Sequence, residues 1–486
     1  MSLNLNQSDY NVLKQRFIKK FIKINLLDFN YNIVDEISGN CIAASINEDA
    51  NSDLRRSCSV SLVVTDSSFD IKSGGKIWLD KFIQLYVGYE NSRTKEIQWY
   101  AQGIFLINSP TWTYDGATNE LSFSALDLMS KLTGVRNGQL EGIPTTIAKD
   151  ENVREAIIKT LELGGFTKYV CDECYTTDDN GNQVIQAVPY DITIDQGGTI
   201  YDILCKLRDI IPQYEIYFDV DGVFHYEMIP SGDDEPIALD DDLLKRIVTS
   251  EQINTDFESV KNYVEIWGHT WDIKYYSDKA MTTVENGVII PTYPEIDGLA
   301  ENTVIGFVLT DDVTYEGGLS IRLIQDCKIV DYAGEPVKSL TKEEIWVFRF
   351  KADLTWEYMG HEQAQAISYD DNPESPFYVG DPIGSSSVGR IRIVLYGGEY
   401  DNIYSDNLAK QRADFEIYQR CRLQDSISLS MIPIPWLKTH VLISYSPKGS
   451  SAPEKYLIKS ISTDYSASGI MSINAIKYYP YYPNNN

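Results

Sequence analysis

Two stretches near opposite ends of this chain repeat each other. Phe105-Leu-Ile-Asn-Ser109 is followed eleven residues later by Leu121-Ser-Phe-Ser-Ala125, and Tyr456-Leu-Ile-Lys-Ser460 is followed ten residues later by Met471-Ser-Ile-Asn-Ala475. Five of the ten aligned positions are identical, and each copy reads as two strands joined by a polar connection that contains a tyrosine, Tyr114 or Tyr465. Two readings stay open. Any two β-hairpins of a strand-rich chain resemble one another, or the chain carries two copies of one barrel. The second constrains the fold more: a trimer of two-barrel chains presents six similar units, enough to cap a sixfold tube.

The segments around the first copy are strand-like. Residues 21–27, 57–64, 77–86, 96–108 and 120–126 are rich in Ile, Val, Leu and aromatics, with Gly, Asn, Asp and Ser between them. Strands this close leave no room for crossover helices, which predicts an antiparallel sandwich or barrel. Helical spacing predicts a short helix over 8–20, where Ser8 can cap and Tyr10, Leu13 and Phe17 share a face. It predicts another over 150–163, with Val153, Ile157 and Leu161 in step and Gly164-Gly165 closing it. A third runs over 199–211, where Ile200, Ile203, Leu204, Leu207 and Ile211 form a stripe that Pro212 ends. A fourth runs over 406–422, where Ala409, Ala413 and Ile417 allow close packing. Residues 169–175 and 183–188 flank Asp179-Asn180-Gly181, and 214–218 and 223–228 flank Asp221-Gly222; both patterns predict hairpins. Strands resume at 260–267. Residues 270–400 are irregular, strand-like and rich in Gly, Asp and Tyr, which predicts a large insertion or a separate domain. From 426 to 479 the pattern is β again, Pro433 and Pro435 indicating an edge strand. The end, 478–483, reads as extended.

With 486 residues, 43% of them hydrophobic, two to four domains with substantial cores are expected. The 33 tyrosines bring aromatics to 12%, a bias toward strands and contact surface. Forty-two basic against 71 acidic residues leave a net charge of −29. That gives no support to tight nucleic-acid binding and repels DNA and anionic membranes alike; it also fits plain solubility. Residues 1–9 are polar, so no signal peptide is expected. No stretch approaches the ~20 apolar residues of a membrane span. Assembly in a cytosol is the resulting expectation. Seven scattered cysteines do not read as a disulfide framework.

Motifs for chemistry fall short one by one. Cys171-Asp-Glu-Cys174 lacks the second ligand pair of a structural zinc site and lies in an expected strand, not at a helix N-terminus; two ordinary thiols in a hairpin are expected. His361-Glu362 begins a zincin-like pattern that ends in Gln365 where the second His belongs. The four histidines, His225, His269, His361 and His440, are far apart, and no nucleophile is tied to any of them. Acidic clusters such as Asp178-Asp179, Asp233-Asp234-Glu235, Asp240-Asp241-Asp242, Asp311-Asp312 and Asp370-Asp371 read as solvated loops. A glycosidase pair would need a carboxylate separation that sequence does not supply. Asp219-Val-Asp221-Gly222 lacks the further acidic positions of a calcium loop and reads as a turn. Neither a phosphate-cradling loop nor a dinucleotide fingerprint occurs. No catalytic, cofactor-binding or metal residue is assigned, and no cofactor is expected. Arg55-Arg56 suits either a subunit interface with an acidic partner or the solvated start of a strand.

Four stretches resemble the phage tail hub family, the baseplate hubs and the N-terminal parts of tail-associated lysins. Asp53-Leu-Arg-Arg-Ser-Cys-Ser-Val-Ser-Leu62 is similar to the early strand of the first barrel, and Gly103-Ile-Phe-Leu-Ile107 with residues 121–127 to the hairpin completing it. Val188-Pro-Tyr-Asp-Ile-Thr-Ile194, the helix over 199–211 and Tyr217-Phe-Asp-Val-Asp-Gly-Val-Phe224 resemble the mixed α/β module between the barrels. Val260-Lys-Asn-Tyr-Val-Glu-Ile-Trp-Gly268, and Ile432-Pro-Ile-Pro-Trp-Leu437 through Tyr479, resemble the two ends of the second barrel. The order matches as well as the content; residues 270–400 match nothing in that family.

The resemblance implies a mainly β fold with an α+β module and two related antiparallel β-barrel domains. The expected division is an N-terminal helix (1–20), a first barrel (21–135), a mixed α/β domain (136–250), a second barrel (251–269 and 401–480), a β-rich insertion (270–400) and a tail (481–486). It implies a non-enzymatic virion protein at the tail tip, assembled in the bacterial host cytoplasm. There a homotrimeric ring of pseudo-sixfold symmetry closes the tail tube. The implied neighbours are distal tail and tube proteins, tip or spike proteins and the tape measure protein, and the ring opens for DNA ejection. An acidic lumen would let DNA pass without adhering. Lysin-bearing relatives carry C-terminal catalytic domains, whereas this sequence stops at its barrel. Aromatic and carboxylate richness keeps a glycan-active enzyme or carbohydrate-binding protein as one alternative. A receptor-binding tail adhesin, with 270–400 as its only candidate head, is another.

Overall fold

The computed structural model describes residues 7–479 except 16, 39–40, 65–68, 118, 141–144, 178–182, 190, 195, 212, 233–234, 278–282, 294–297, 332–333 and 451. The chain divides into two compact units. The first draws on 1–174, 187–255 and 424–481, the second on 175–186 and 256–423.

The strands of four or more residues in the first unit are β1 (Lys20–Leu27), β2 (Ile33–Ser38), β3 (Cys41–Asp49), β4 (Arg56–Val63), β5 (Phe82–Glu90), β6 (Ile97–Tyr114), β7 (Asn119–Asp127), β8 (Tyr214–Phe218), β9 (Phe224–Met228), β10 (Val248–Asp256), β11 (Gln424–Met431), β12 (Leu442–Tyr445), β13 (Glu454–Asp464) and β14 (Met471–Lys477). All but β8 and β9 join one 13-stranded sheet. Its order is β10-β11-β14-β13-β3-β4-β7-β6-β5-β1-β2, with β12 on β13 and the short strand Ile237–Leu239 on β12. The mainly β expectation holds, and the strands expected for two barrels are two stretches of this one ladder.

Strict alternation places the side chains. Along β4, Cys58, Val60 and Leu62 point into the core while the serines between them point away. Leu121, Phe123 and Ala125 of β7 and Met471, Ile473 and Ala475 of β14 do the same, and residues from both ends of the chain share one apolar core. Each large side chain fully buried there contributes roughly 1.5–3 kcal/mol.

The sequence repeat is a repeat of topology. Strands β4 to β7 run in the order β5-β6-β7-β4, and β11 to β14 in the order β12-β13-β14-β11, all antiparallel. Register agrees as well. Phe105, Leu106 and Ile107 face Asp127, Leu126 and Ala125, while Tyr456, Leu457 and Ile458 face Lys477, Ile476 and Ala475. Each hairpin then takes in one extra residue before Thr111 faces Ser122 and Ser462 faces Ser472. Register also aligns Ser57-Cys-Ser-Val-Ser-Leu62 with Ser426-Ile-Ser-Leu-Ser-Met431. A fifth strand extends each block, β3 beside β4 and β10 beside β11, and these two share Ile-Asn-x-Asp at 46–49 and 253–256.

Between β3 and β4 lies a short turn; between β10 and β11 lies nearly the whole second unit. The insertion is therefore wider than the 270–400 expected from sequence. Two segments expected in the second barrel belong to it. Tyr263–Thr270 pairs antiparallel with Gln363–Tyr369 and parallel with Arg392–Tyr396. The helix Asp406–Arg420 covers this small sheet, Val264 and Ile266 meeting Ala409 and Ala413, all four fully buried. An eight-stranded sheet with Phe307, Phe348 and Trp356 in its core completes the unit.

Apart from 175–186, the mixed module belongs to the first unit. Helix Val153–Leu163 is capped by Asn152, and helix Ile200–Arg208 by a reciprocal Thr199–Asp202 capping box. β8 and β9 form the expected hairpin, and Tyr169–Cys171 adds to β9 in parallel. Their apolar faces pack with Phe82 and Leu106 from the outer face of the sheet. The hairpin expected from 169 on pairs only from Tyr175, because Tyr169–Cys171 is taken by β9; the Asp179-Asn180-Gly181 turn lies outside the described residues, as do Asp178, Asp233-Asp234, Pro212 and the chain end beyond 479. The N-terminal helix is Gln7–Leu13, shorter than 8–20, and Phe17 beyond it is exposed. Pro433 and Pro435 lie in a loop instead of an edge strand; their carbonyls accept from the Tyr89 hydroxyl and the Gln102 amide, at 2.5 and 2.7 Å. No helix among the described residues is long and apolar enough to cross a membrane.

Candidate functional site

Arg55 and Arg56 end the short turn after β3, and both side chains are buried, at 6% and 3% exposure. The reading as a solvated strand start does not survive: the guanidiniums face carboxylates of the same unit. Glu48 sits on β3 directly across from Arg56, whose Nε donates to its Oε2 at 2.8 Å. Arg56 also donates from Nη1 to the carbonyl of Phe218 in β8, and its backbone N–H reaches Asp127 Oδ2 at the end of β7. Arg55 donates to Glu215 of β8 at 2.7 Å and to the Thr439 hydroxyl at 2.9 Å, and lies over the Tyr217 ring. Thr439 closes the circuit, donating to Glu48 Oε1 from its backbone N–H and its hydroxyl.

His440 completes the cluster. Its Nδ1 lies 2.5 Å from Glu215 Oε2, and its Nε2 lies 3.2 Å from the Lys459 ammonium. An ammonium only donates, so Nε2 accepts, and Nδ1 gives its proton to Glu215, which is nearer to it than the Arg55 Nη2 at 3.4 Å. Burial lowers the pKa of His440 despite Glu215, which agrees with this neutral tautomer. Burial would raise Glu48 and Glu215, yet the adjacent guanidiniums outweigh it and hold each carboxyl down at about 2. Burial wins at Asp127, which is pushed up to about 6 although two backbone N–H groups and Arg56 favour its charge. Beside the cluster, His225 stacks on Tyr217 and lies between Asp219 and Glu227. Burial opposes its charge, but the two carboxylates raise it to about 9.

The cluster ties three parts of the first unit: β3, β4 and β7 of the first block, β8 of the mixed module, and the 439–440 segment leading into β12. It offers paired charges with hydrogen-bonded partners, and the Thr439 hydroxyl is committed to Glu48. Its chemistry is that of a clasp. The other sequence candidates do not meet here. His361 Nδ1 contacts Asp406 at 2.5 Å in the second unit. Cys174 is buried and accepts from the Tyr226 hydroxyl, and burial raises both thiols of the pair, Cys171 to about 12 and Cys174 to about 11. Asp219 Oδ1 accepts the N–H groups of Asp221 and Val223, which makes that motif the turn expected. Among the described residues no group of three or more His, Cys, Asp or Glu is placed to hold a metal ion.

Residues 374–482 match a family described as a domain of unknown function, DUF5048. No curated protein matches the sequence. In three dimensions the chain is similar to the 43 kDa tail protein of prophage MuSo2 from Shewanella oneidensis: 11% identity, a TM-score of 0.50, and coverage of 94% of this chain and 98% of that one. It is similar also to the tail protein from Neisseria meningitidis MC58: 9% identity, a TM-score of 0.50, and coverage of 96% and 99%. The chain thus has the fold of phage tail proteins, and the resemblance carried by four short sequence stretches extends to the architecture.

Proposed function

We propose that this chain is the hub of a phage-type tail, a structural protein whose homotrimeric ring at the tail tip closes the tube and opens for DNA ejection. The observation that carries this reading is the duplication: two five-strand blocks of one order in one chain, so that three chains supply six equivalent blocks to a sixfold tube. The shared fold with two prophage and bacterial tail proteins supports the class of assembly. The net charge of −29 suits a surface that DNA passes without adhering. In this role the buried clasp is mechanical: it fixes the two blocks and the mixed module as one body, which a ring segment under load requires. Partners are distal tail and tube proteins on one side, tip or spike proteins on the other, and the tape measure protein within. No enzymatic step is needed.

Light scattering on the purified protein, followed by negative-stain imaging, tests the reading. A trimeric ring with a central channel and six lobes is expected. A monomer at every concentration, together with turnover of cell-wall glycans by the same preparation, would overturn it in favour of a glycan-active protein.

A further inference from the structure

We infer that the joint between the two blocks is repeated between copies of the chain: the free edge of β10 in one copy pairs with the free outer edge of Thr111–Tyr114 in β6 of the next. This deepens the ring reading above and rests on it.

Within the chain the blocks meet where β3 lies along the last part of β13. Ile46 faces Thr463 and Asn47 faces Ser462, in antiparallel register. The first part of β13 pairs instead with β12, so the strand changes partners at its bulge. β6 is built the same way. Up to Leu106 its outer edge pairs with β5; a bulge follows, and beyond it no strand occupies that edge among the described residues. β10 stands to its block as β3 does to the first, and its outer edge also has no strand among the described residues. Each half of a second joint is therefore present, one at either end of the duplicated array.

The side chains on those two edges match the internal joint. Register places Thr111 and Trp112 where Ser462 and Thr463 stand, and Tyr114 where Tyr465 stands. The shared Ile-Asn-x-Asp places Ile253 and Asn254 where Ile46 and Asn47 stand, and Thr255 bonds Asp425 where Glu48 faces Arg56. In the internal joint the Ser462 hydroxyl donates to Asn47 Oδ1 at 2.7 Å; across copies Thr111 and Asn254 offer the same hydroxyl and amide. Internally the Tyr465 N–H donates to the carbonyl of Ala44, and its ring is 3% exposed; Tyr114 would meet the carbonyl of Glu251. Ile46 and Thr463 are buried, whereas Ile253 is 50%, Trp112 43% and Tyr114 78% exposed. A long edge bearing large apolar groups is a template for pairing, and an isoleucine opposite a tryptophan is a favourable cross-strand pair. A head-to-tail joint of this kind does not cap a dimer; it builds a ring where its rotation closes, as the ring reading requires.

Cysteine pairs test the joint directly. Thr111→Cys and Asn254→Cys on separate chains are expected to give a disulfide dimer when mixed under mild oxidation and none when each is alone, with the natural seven-cysteine chain as control. The double variant is expected to give a ladder ending at a closed trimer. Ile253→Asp and Trp112→Asp, both at exposed positions, should each weaken assembly about tenfold or more while leaving the circular dichroism of the chain unchanged. A ring that persists by light scattering with no cross-link, and is indifferent to both substitutions, places the joint elsewhere and leaves the ring reading standing. Monomer without cross-link at any concentration overturns the joint, and glycan turnover by the same monomer overturns the ring reading with it.

Discussion

Arg56 is the residue whose loss the first unit should feel most. At 3% exposure it answers Glu48 and the Phe218 carbonyl, and its neighbourhood also carries the raised Asp127. Arg56→Met strands a buried carboxylate, a change that costs about 3–5 kcal/mol. The denaturant midpoint should fall accordingly, and Glu48→Gln combined with Arg56→Met should recover part of the loss, because no lone charge remains. Equal losses in the single and double variants would mean that the two residues are not coupled. The cluster also sets the pH response. Glu48 and Glu215 lie at about 2 when folded against 4.5 ordinarily, so the unfolded chain takes up their protons first. Their contribution, at most about 3 kcal/mol each, is complete above pH 4.5 and is lost as pH falls toward 2. Asp127 acts in the opposite sense: raised to about 6 from 3.8, it subtracts stability as pH climbs through that interval. His225, raised from 6.5 to about 9, adds stability that is full below 6.5 and gone above 9. Thermal unfolding across this range should therefore show an alkaline decline that His225→Gln flattens; an unchanged decline would remove His225 as its cause. In the sequence the arginine pair was conspicuous, but its setting was not. Glu48 is near in sequence, whereas Glu215, Thr439 and His440 come from distant segments, and burial of a charge depends on what folds over it.

The elements of the fold carry a record of duplication that is only partly visible in the sequence. The β6–β7 and β13–β14 hairpins stand out because a loop of similar length joins the strands in each. The likeness of β4 to β11 rests on alternating serines, which any half-exposed strand can show. That of β3 to β10 is four residues long, and the insertion after β10 hides that a hairpin continues beyond it. For the same reason the sequence assigns Tyr263–Thr270 to the second block: its alternation is that of a sheet strand, and only the pairing reveals which sheet. A direct consequence can be measured. If the part of the second unit between β10 and β11 is an insertion in a hairpin turn, replacing 257–423 by a turn like that of residues 50–55 should leave the first unit folded. The excised segment should fold alone, since its ends are tied, the Lys261 N–H donating to the Arg420 carbonyl at 3.0 Å. Circular dichroism and a single cooperative unfolding transition in each piece are expected; a molten first unit would show that the insertion is integral to its core.

At the scale of the whole molecule, charge and shape make opposing demands. Every copy brings a net charge of −29, so long-range repulsion works against bringing copies together. The joint inferred between β10 and β6 contains Ile253, Trp112 and Tyr114 with an amide and a hydroxyl, and neither strand carries a Lys or Arg with which to form an ion pair across it. Salt should therefore screen the repulsion while leaving the contact itself intact, the screening length shrinking from about 30 Å at 0.01 M to about 10 Å at 0.1 M. Apolar burial is, if anything, strengthened by kosmotropic anions. The assembled fraction, followed by light scattering at fixed protein concentration, should rise over that range and rise further with sulfate than with chloride at equal ionic strength. An interface built on charge pairs behaves in the opposite way and comes apart as salt is added. Dissociation by salt would thus assign the contact to oppositely charged patches and remove the free strand edges as what holds the ring.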